Sequence, residues 1–178
     1  MENETMAQVM TKTIGEGKKT IKTLIEKCIE DGRQPLPAFL WGGPGIGKSS
    51  IVKQAVEELG MDPEDSFIDQ RLQQIDPVDL RGLPYPNDDG RLEYNPPTFL
   101  PDEGKGVLFL DELNLAPKQV QAAAYELVLD RKLGDSYHLP EGWMVIAAGN
   151  RTGDRAFVNP MAAPLANRFV HWEIQPNL

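Results

Sequence analysis

The sequence predicts a three-layer α/β fold, in which a parallel sheet of five strands is covered by helices on both faces. Short, continuous apolar segments alternate along the chain with segments whose apolar residues recur at helical spacing. The apolar segments lack the polar alternation of a half-exposed strand, which indicates that both of their faces are buried. A chain of 178 residues, of which 40% are hydrophobic, is long enough for one such core and too short for two.

The elements follow one another in a regular order. The five predicted strands span residues 38–41, 66–69, 107–110, 144–148 and 169–174. Helices are expected from residue 18 to a stop at Asp31 and Gly32, over residues 49–59, and after Pro117. Residues 1–17 are polar and are expected to be loose. Residues 70–105 are rich in proline and glycine, and we interpret them as an insertion containing a hairpin rather than as part of the core.

Residues 42–49 match the phosphate-binding pattern G-x-x-x-x-G-K-[ST], between a predicted strand and a predicted helix. A glycine-rich loop lets backbone N–H groups surround a phosphate, and the helix adds the positive end of its dipole. Lys48 is expected to reach the β- and γ-phosphates of ATP, and the Ser49 hydroxyl to bind Mg²⁺. The predicted nucleotide-binding residues of this loop are Gly43, Pro44, Gly45, Ile46, Gly47, Lys48, Ser49 and Ser50.

An acidic pair, Asp111 and Glu112, directly follows the predicted strand at residues 107–110. Open α/β sheets bind ligands at the carboxyl ends of their strands, so Asp111 is expected to hold Mg²⁺ directly or through water. Glu112 is expected to polarise the water that attacks ATP. The alternative is a solvated carboxylate at a strand end, but a phosphate loop in the same chain favours the catalytic interpretation.

Composition limits the remaining classes of function. The net charge of −9 disfavours non-specific binding to nucleic acid or to an anionic membrane, because both require a positive field. One cysteine, Cys28, cannot form an internal disulfide. No apolar run approaches the roughly 20 residues of a membrane span, and the start lacks a signal-peptide pattern, so a cytoplasmic location is expected.

With these two motifs, the chain resembles the AAA+ ATPases, and within them the MoxR-like, dynein-related branch. The most specific stretches are residues 43–49, 76–82, 110–117 and 165–169, and the resemblance extends from Leu36 to Ile174. It implies an AAA+ P-loop nucleotide-binding domain over residues 36–178, preceded by an N-terminal segment and helix over residues 1–35. The family places a helical lid after the fifth strand, so we expect the chain to be a core without that lid.

The resemblance also implies two further catalytic residues. Asn150 matches the sensor residue that helps to place the attacking water, although an asparagine at a strand end is often only a cap. Arg168 matches the arginine finger, which acts on ATP bound by a neighbouring subunit. Arg151 and Arg155 are rival candidates for the finger, and a surface ion pair is the other interpretation of Arg168.

The leading functional interpretation is a Mg²⁺-dependent ATPase that forms a ring, expected to be hexameric, and remodels a protein client. Relatives in this branch often act beside a partner with a von Willebrand A domain. The alternatives are a nucleic-acid motor of the McrB or helicase-loader kind, with GTP use a minor variant, and a nucleotide-gated scaffold with little turnover.

Overall fold

The computed structural model describes residues 9–32, 36–151, 161 and 166–176 of the 178-residue chain. The helices and strands are, in chain order, β1 (Met10–Thr13), α1 (Ile14–Asp31), β2 (Ala38–Trp41), α2 (Lys48–Glu58), α3 (Pro63–Ser66), β3 (Phe67–Arg71), α4 (Pro77–Arg81), β4 (Leu83–Pro86), β5 (Leu92–Asn95), β6 (Gly106–Asp111), α5 (Lys118–Asp130), β7 (Lys132–Leu133), β8 (Tyr137–His138), β9 (Trp143–Gly149) and β10 (Val170–Gln175). The central sheet has the order β1-β10-β2-β9-β6-β3, and all its paired strands are parallel. None of the helices described is both long and apolar enough to cross a membrane.

Helices cover both faces of this sheet, which confirms the predicted α/β architecture. On one face, Ile21 and Ile25 of α1 and Val52 of α2 belong to a buried cluster with Leu40 and Ile146 of the sheet. On the other face, α5 buries its apolar side against the sheet. That second cluster includes Val120, Ala124, Leu127, Phe39, Leu108 and Val145, all fully buried. Burial on both faces explains why the strands read as continuous apolar runs.

The central sheet has six strands in the described part of the chain, one more than the sequence predicts. The additional strand is β1, which pairs in parallel with β10 at the edge of the sheet. Its residues lie in the segment predicted to be loose, and most of them are exposed, so they carry no apolar run that could signal a strand. A ladder of backbone hydrogen bonds to one neighbour can form without any apolar pattern.

The first helix begins at Ile14, earlier than the predicted residue 18. Thr13 is its N-cap: its side chain accepts from the Glu16 N–H (3.3 Å), while Glu16 Oε2 accepts from the Thr13 N–H (2.9 Å). This reciprocal pair satisfies two backbone donors at the start of the helix and links α1 directly to β1. Gly32, at φ 60°, ends the helix in the left-handed conformation that glycine favours.

The segment predicted as an insertion is only partly outside the core. An antiparallel hairpin does form between β4 and β5, and Leu83 and Leu92 on it are exposed. Leu72 and Leu80, which precede the hairpin, and Leu100, which follows it, are nevertheless buried in the same cluster as α5, so the prediction that residues 70–105 lie outside the core is wrong on both sides of the hairpin. Leu72 and Leu80 occupy a 3-10 turn and the short helix α4, which have no long periodic pattern to reveal them.

Candidate active site

Three neighbouring strands end at one edge of the sheet and bring the predicted motifs together. The phosphate loop follows β2, Asn150 follows β9, and Asp111 ends β6. Because the strand order is β2-β9-β6 and all three are parallel, their carboxyl ends lie side by side. Asn150 therefore lies between the phosphate loop and the acidic pair, where the carboxyl ends of an open sheet form a binding crevice.

The phosphate loop leads directly into the first turn of α2. Gly47 is the N-cap of α2, and it makes no side-chain hydrogen bond to the first turn of the helix. Gly45 and Gly47 have φ values of 75° and 93°, in the left-handed region where a side chain would be strained. This backbone path turns successive N–H groups toward one point, and the helix dipole makes that point favourable for an anion.

Lys48 provides a buried positive charge beside this loop. Its side chain is 8% exposed, and Nζ donates to the carbonyl oxygens of Gly42 (2.9 Å) and Gly43 (3.2 Å) and to Asn150 Oδ1 (3.3 Å). These three acceptors are neutral, so they orient the ammonium group without cancelling its charge. Charge in a partly desolvated position attracts an anion strongly, which fits a phosphate group at this loop.

The acidic pair is held in an unusual backbone conformation. Glu112 has φ 57° although it is not glycine, and its N–H donates to Asp111 Oδ1 (2.8 Å). A left-handed conformation at such a residue costs free energy, and positions of this kind cluster at functional sites. Both carboxylates of the pair are half-buried. Two neighbouring acids can serve different purposes.

A cleft of about 320 Å³ opens beside the start of α2, on the side of β3. Ser49 and Ser50 line it together with Asp69. Burial raises the pKa of the Asp69 carboxyl, and the negative charge of Asp111 raises it further. The carboxylates at this end of the sheet thus repel one another, and a bound cation would relieve that repulsion. Ser49 and Asp111 offer the hard oxygen ligands that Mg²⁺ prefers in phosphate sites, so the residues present fit the ion.

Asn114 belongs to the site, although the sequence analysis assigned it no role. It lies in a 3-10 turn just after Glu112 and is 1% exposed. Its Nδ2 donates to the Asn150 carbonyl (2.7 Å), and the Asn150 N–H donates to its Oδ1 (3.2 Å). A Cβ at Gly149 would collide with Asn114 Oδ1, so the glycine allows this close approach. The signal that the sequence offered was a single polar residue between the apolar Leu113 and Leu115, which is consistent with a buried side chain that needs a hydrogen-bond partner.

The candidate arginines lie in different places. Arg168 is exposed in the turn before β10, and it has no hydrogen-bond or ion-pair partner among the residues described. Since β10 is parallel to β2, this turn lies at the amino ends of the strands, opposite the phosphate loop. Arg151 instead forms an ion pair with Glu173 of the same chain. Arg155 lies outside the residues that the structure describes.

Comparisons with known proteins identify the family of the chain and support its fold. Residues 37–169 match the family model described as AAA domain, dynein-related subfamily. A candidate ATPase from Cytophaga hutchinsonii has a similar solved structure, with a TM-score of 0.57, 23% identity, and coverage of 93% of this chain and 48% of that one. RuvB from Thermotoga maritima, a Holliday junction branch migration motor, gives a TM-score of 0.54 and 19% identity, covering 90% of this chain and 43% of that one.

At these identities the structural likeness establishes the fold alone. The chain spans about half the length of these solved structures. No curated protein sequence matches the chain.

Proposed function

The chain belongs to the dynein-related subfamily of AAA domains, and on that premise we propose that it binds ATP with Mg²⁺ and hydrolyses the γ-phosphate. One observation carries this proposal: Asn150 joins the two motifs of the site. Its side chain accepts from Lys48 of the phosphate loop, and its backbone bonds Asn114 of the turn that follows the acidic pair. A site assembled this way can hold a nucleotide and a water molecule in one fixed geometry.

Each residue then has a distinct role in the chemistry. Loop N–H groups and Lys48 bind and orient the phosphates, while Ser49 and Asp111 hold the cation. When bound, Mg²⁺ would supply the positive charge that stabilises the phosphate oxygens on which negative charge develops. Glu112 accepts a proton from the attacking water, and Asn150 orients that water. Since this base serves water rather than a second substrate, the reaction supported is hydrolysis.

The substitution Glu112→Gln tests the chemical step. The variant keeps the size and hydrogen-bonding capacity of the side chain but cannot accept the proton. We expect ATP to bind normally in calorimetry and Mg²⁺-dependent phosphate release to fall about 10²-fold or more. Glu141→Gln, an equal change of charge at an exposed residue before β9, is the control and should hydrolyse ATP at the parent rate. A Glu112→Gln variant that matches this control contradicts the proposed role.

We also propose that the protein works as a ring, hexameric as the resemblance implies, in which Arg168 acts on the ATP of the adjacent subunit. The position of Arg168 supports this. Four residues of β2, at about 3.3 Å each, separate the two ends of the sheet by about 13 Å. Arg168 is therefore far from its own phosphate loop, while its exposure leaves it accessible to a second subunit. The proposed task of such a ring is the remodelling of a protein client, with a von Willebrand A-domain protein as the candidate partner.

Mixing two inactive variants of the full-length protein tests this arrangement. Arg168→Ala keeps an intact ATP site, and Lys48→Ala keeps the arginine, so each alone should be almost inactive. In mixed rings, Arg168 of a Lys48→Ala subunit can act on the ATP bound by an adjacent Arg168→Ala subunit. ATP hydrolysis should therefore return at that site. If mixed rings form but remain inactive, Arg168 is not the finger. Stimulation of the parent protein by DNA rather than by a protein client would favour the nucleic-acid motor instead.

A further inference from the structure

A buried histidine joins the turn that carries Arg168 to the strand that leads into the phosphate loop. His171 lies on β10 and is 5% exposed. Its Nδ1 accepts a hydrogen bond from Trp41 Nε1 (2.8 Å), and its Nε2 lies 2.7 Å from the carbonyl oxygen of Ala166. Trp41 is the last residue of β2, and Ala166 lies two residues before Arg168. The imidazole ring thus adds a pair of side-chain hydrogen bonds between two segments that also meet through the sheet and through the contact of Phe169 with Phe39.

The chemistry of the partners determines the tautomer of the ring. An indole N–H can only donate, so Nδ1 of His171 must carry the lone pair. A carbonyl oxygen can only accept, so Nε2 must carry the proton. His171 therefore uses both ring nitrogens in this structure, Nδ1 as an acceptor and Nε2 as a donor. Leucine or phenylalanine would fill the space but would leave the Ala166 carbonyl and the Trp41 N–H without these bonds.

Aromatic packing fixes the ring and the turn together. Phe169, directly after Arg168, is 6% exposed and packs edge-on against Phe39 at 5.4 Å between ring centroids. The ring of His171 stacks on Trp41 at 5.9 Å, with 21° between the planes. Phe169 N–H also donates to the Ala166 carbonyl (3.2 Å), the same oxygen that His171 contacts. Rings packed this closely have few alternative rotamers, so the turn has one well-defined position.

The other end of the bridge reaches the phosphate loop. Gly42 follows Trp41, and its carbonyl oxygen accepts from Lys48 Nζ (2.9 Å). The Gly42 N–H donates to Gly149 (3.4 Å), the residue before Asn150. Trp41 therefore directly precedes the phosphate loop, and its indole N–H is bonded to the imidazole ring that contacts the turn of Arg168.

We propose that His171 is a positioning residue for Arg168, holding the turn of the finger in register with the phosphate loop of the same subunit. This inference rests on the proposed action of Arg168 on a neighbouring subunit. An arginine finger must meet charge that develops only in the transition state, and small displacements at such positions cost large factors in rate. In this proposal His171 acts only through Arg168. A change at His171 should therefore lower activity when it is made in the subunit that supplies the arginine, and not when it is made in the subunit that binds the ATP.

The mixed-ring assay with full-length protein separates these two sides. The recipient is Arg168→Ala, which needs an arginine, and the donor is Lys48→Ala, which supplies one. Adding His171→Phe to the donor should lower the restored activity about tenfold or more, because the arginine is no longer held. Adding His171→Phe to the recipient, in which the finger is already absent, should change the restored activity by no more than about threefold. A merely structural histidine would reduce activity equally on both sides.

Three further variants connect the effect to the two hydrogen bonds. His171→Gln keeps an N–H near the position of Nε2, so a donor with this change should recover most of the activity lost with phenylalanine. Trp41→Phe removes the indole N–H on the other side and should weaken the donor. Trp172→Phe is the matched control, because its indole nitrogen is buried without a hydrogen-bond partner in the described structure.

The outcomes are separable. If the reference pair regains activity but the His171→Phe donor works as well as the reference donor, the positioning role is wrong. The same holds if donor and recipient lose activity equally, or if the glutamine donor is as poor as the phenylalanine donor. If the reference pair itself stays inactive in mixed rings, Arg168 is not the finger, and the inference fails together with that assignment.

Discussion

Asn114 offers the sharpest test of how the site is held together, because its side chain makes both of its hydrogen bonds within the described part of the chain to the backbone of Asn150. Asn114→Ala removes one bond of 2.7 Å and one of 3.2 Å. Both leave a backbone group of Asn150, which is 7% exposed, without its partner. A buried group that loses its partner costs about 1–3 kcal/mol, so the two together should destabilise the fold by about 3 kcal/mol.

The expected loss has two separate readouts. For a chain of this length, about 3 kcal/mol corresponds to a Tm lowered by about 6–12 °C in calorimetry. The backbone of Asn150 is also no longer held by Asn114, so the Asn150 side chain can shift and no longer fixes the position of the attacking water. A displacement of about 1 Å at such a position can cost 10²-fold, so we expect kcat to fall about 10- to 100-fold while ATP affinity changes little.

Gln121→Ala is the matched control for this experiment. Gln121 is also a buried amide, 5% exposed, and its Nε2 donates once to a backbone carbonyl, that of Ala116 (3.1 Å). It lies on α5, and its side-chain hydrogen bond within the described residues is to Ala116 rather than to Asn150 or the phosphate loop, so its loss should lower the Tm and leave kcat unchanged. If Asn114→Ala and Gln121→Ala have the same kcat, the bonds between Asn114 and Asn150 stabilise the fold without organising catalysis.

Three further predictions concern charge. Lys48→Ala should weaken ATP binding at least about tenfold, or about 1.4 kcal/mol, in calorimetry, whereas Lys27→Ala, the same change at an exposed residue of α1 outside the cleft, should bind nearly normally. Arg131→Ala should lower the free energy of unfolding by about 2–4 kcal/mol in denaturant titration, because the guanidinium group donates to the carbonyls of Trp143 (2.9 Å) and Pro140 (2.7 Å). Lys132→Ala should cost about 0.5 kcal/mol at most, because the ion pair of the half-buried Lys132 is with the fully exposed Asp135. Asp69→Asn should raise the thermal stability of the nucleotide-free protein at neutral pH. Burial and then the charge of Asp111 raise the pKa of that carboxyl. The free energy of unfolding of the parent therefore falls as pH rises through the raised pKa, because the ionised carboxylate is disfavoured in the folded protein. Below the ordinary aspartate pKa, the variant and the parent should have the same stability.

Local patterns in the sequence determined the architecture and the first residues of the site. A continuous apolar run such as Val107–Leu110 signals a strand buried on both faces, because no other environment removes polar residues from both sides. The glycines of the phosphate loop predict its position equally well, since the positive φ angles of this loop exclude most side chains. In both cases the constraint acts within a few neighbouring residues, so the sequence alone displays it.

Only the tertiary structure decided which distant residues meet. The edge strand β1 depends on pairing with β10, whose partner residues lie 162 positions further along the chain, and its exposed residues carry no apolar signal. Asn114 bonds Asn150 across 36 positions, and Trp41 bonds His171 across 130. A single polar side chain in an apolar context looks the same in sequence whatever its partner, because hydrogen bonds are formed in space and the order of the strands sets which chain segments are neighbours.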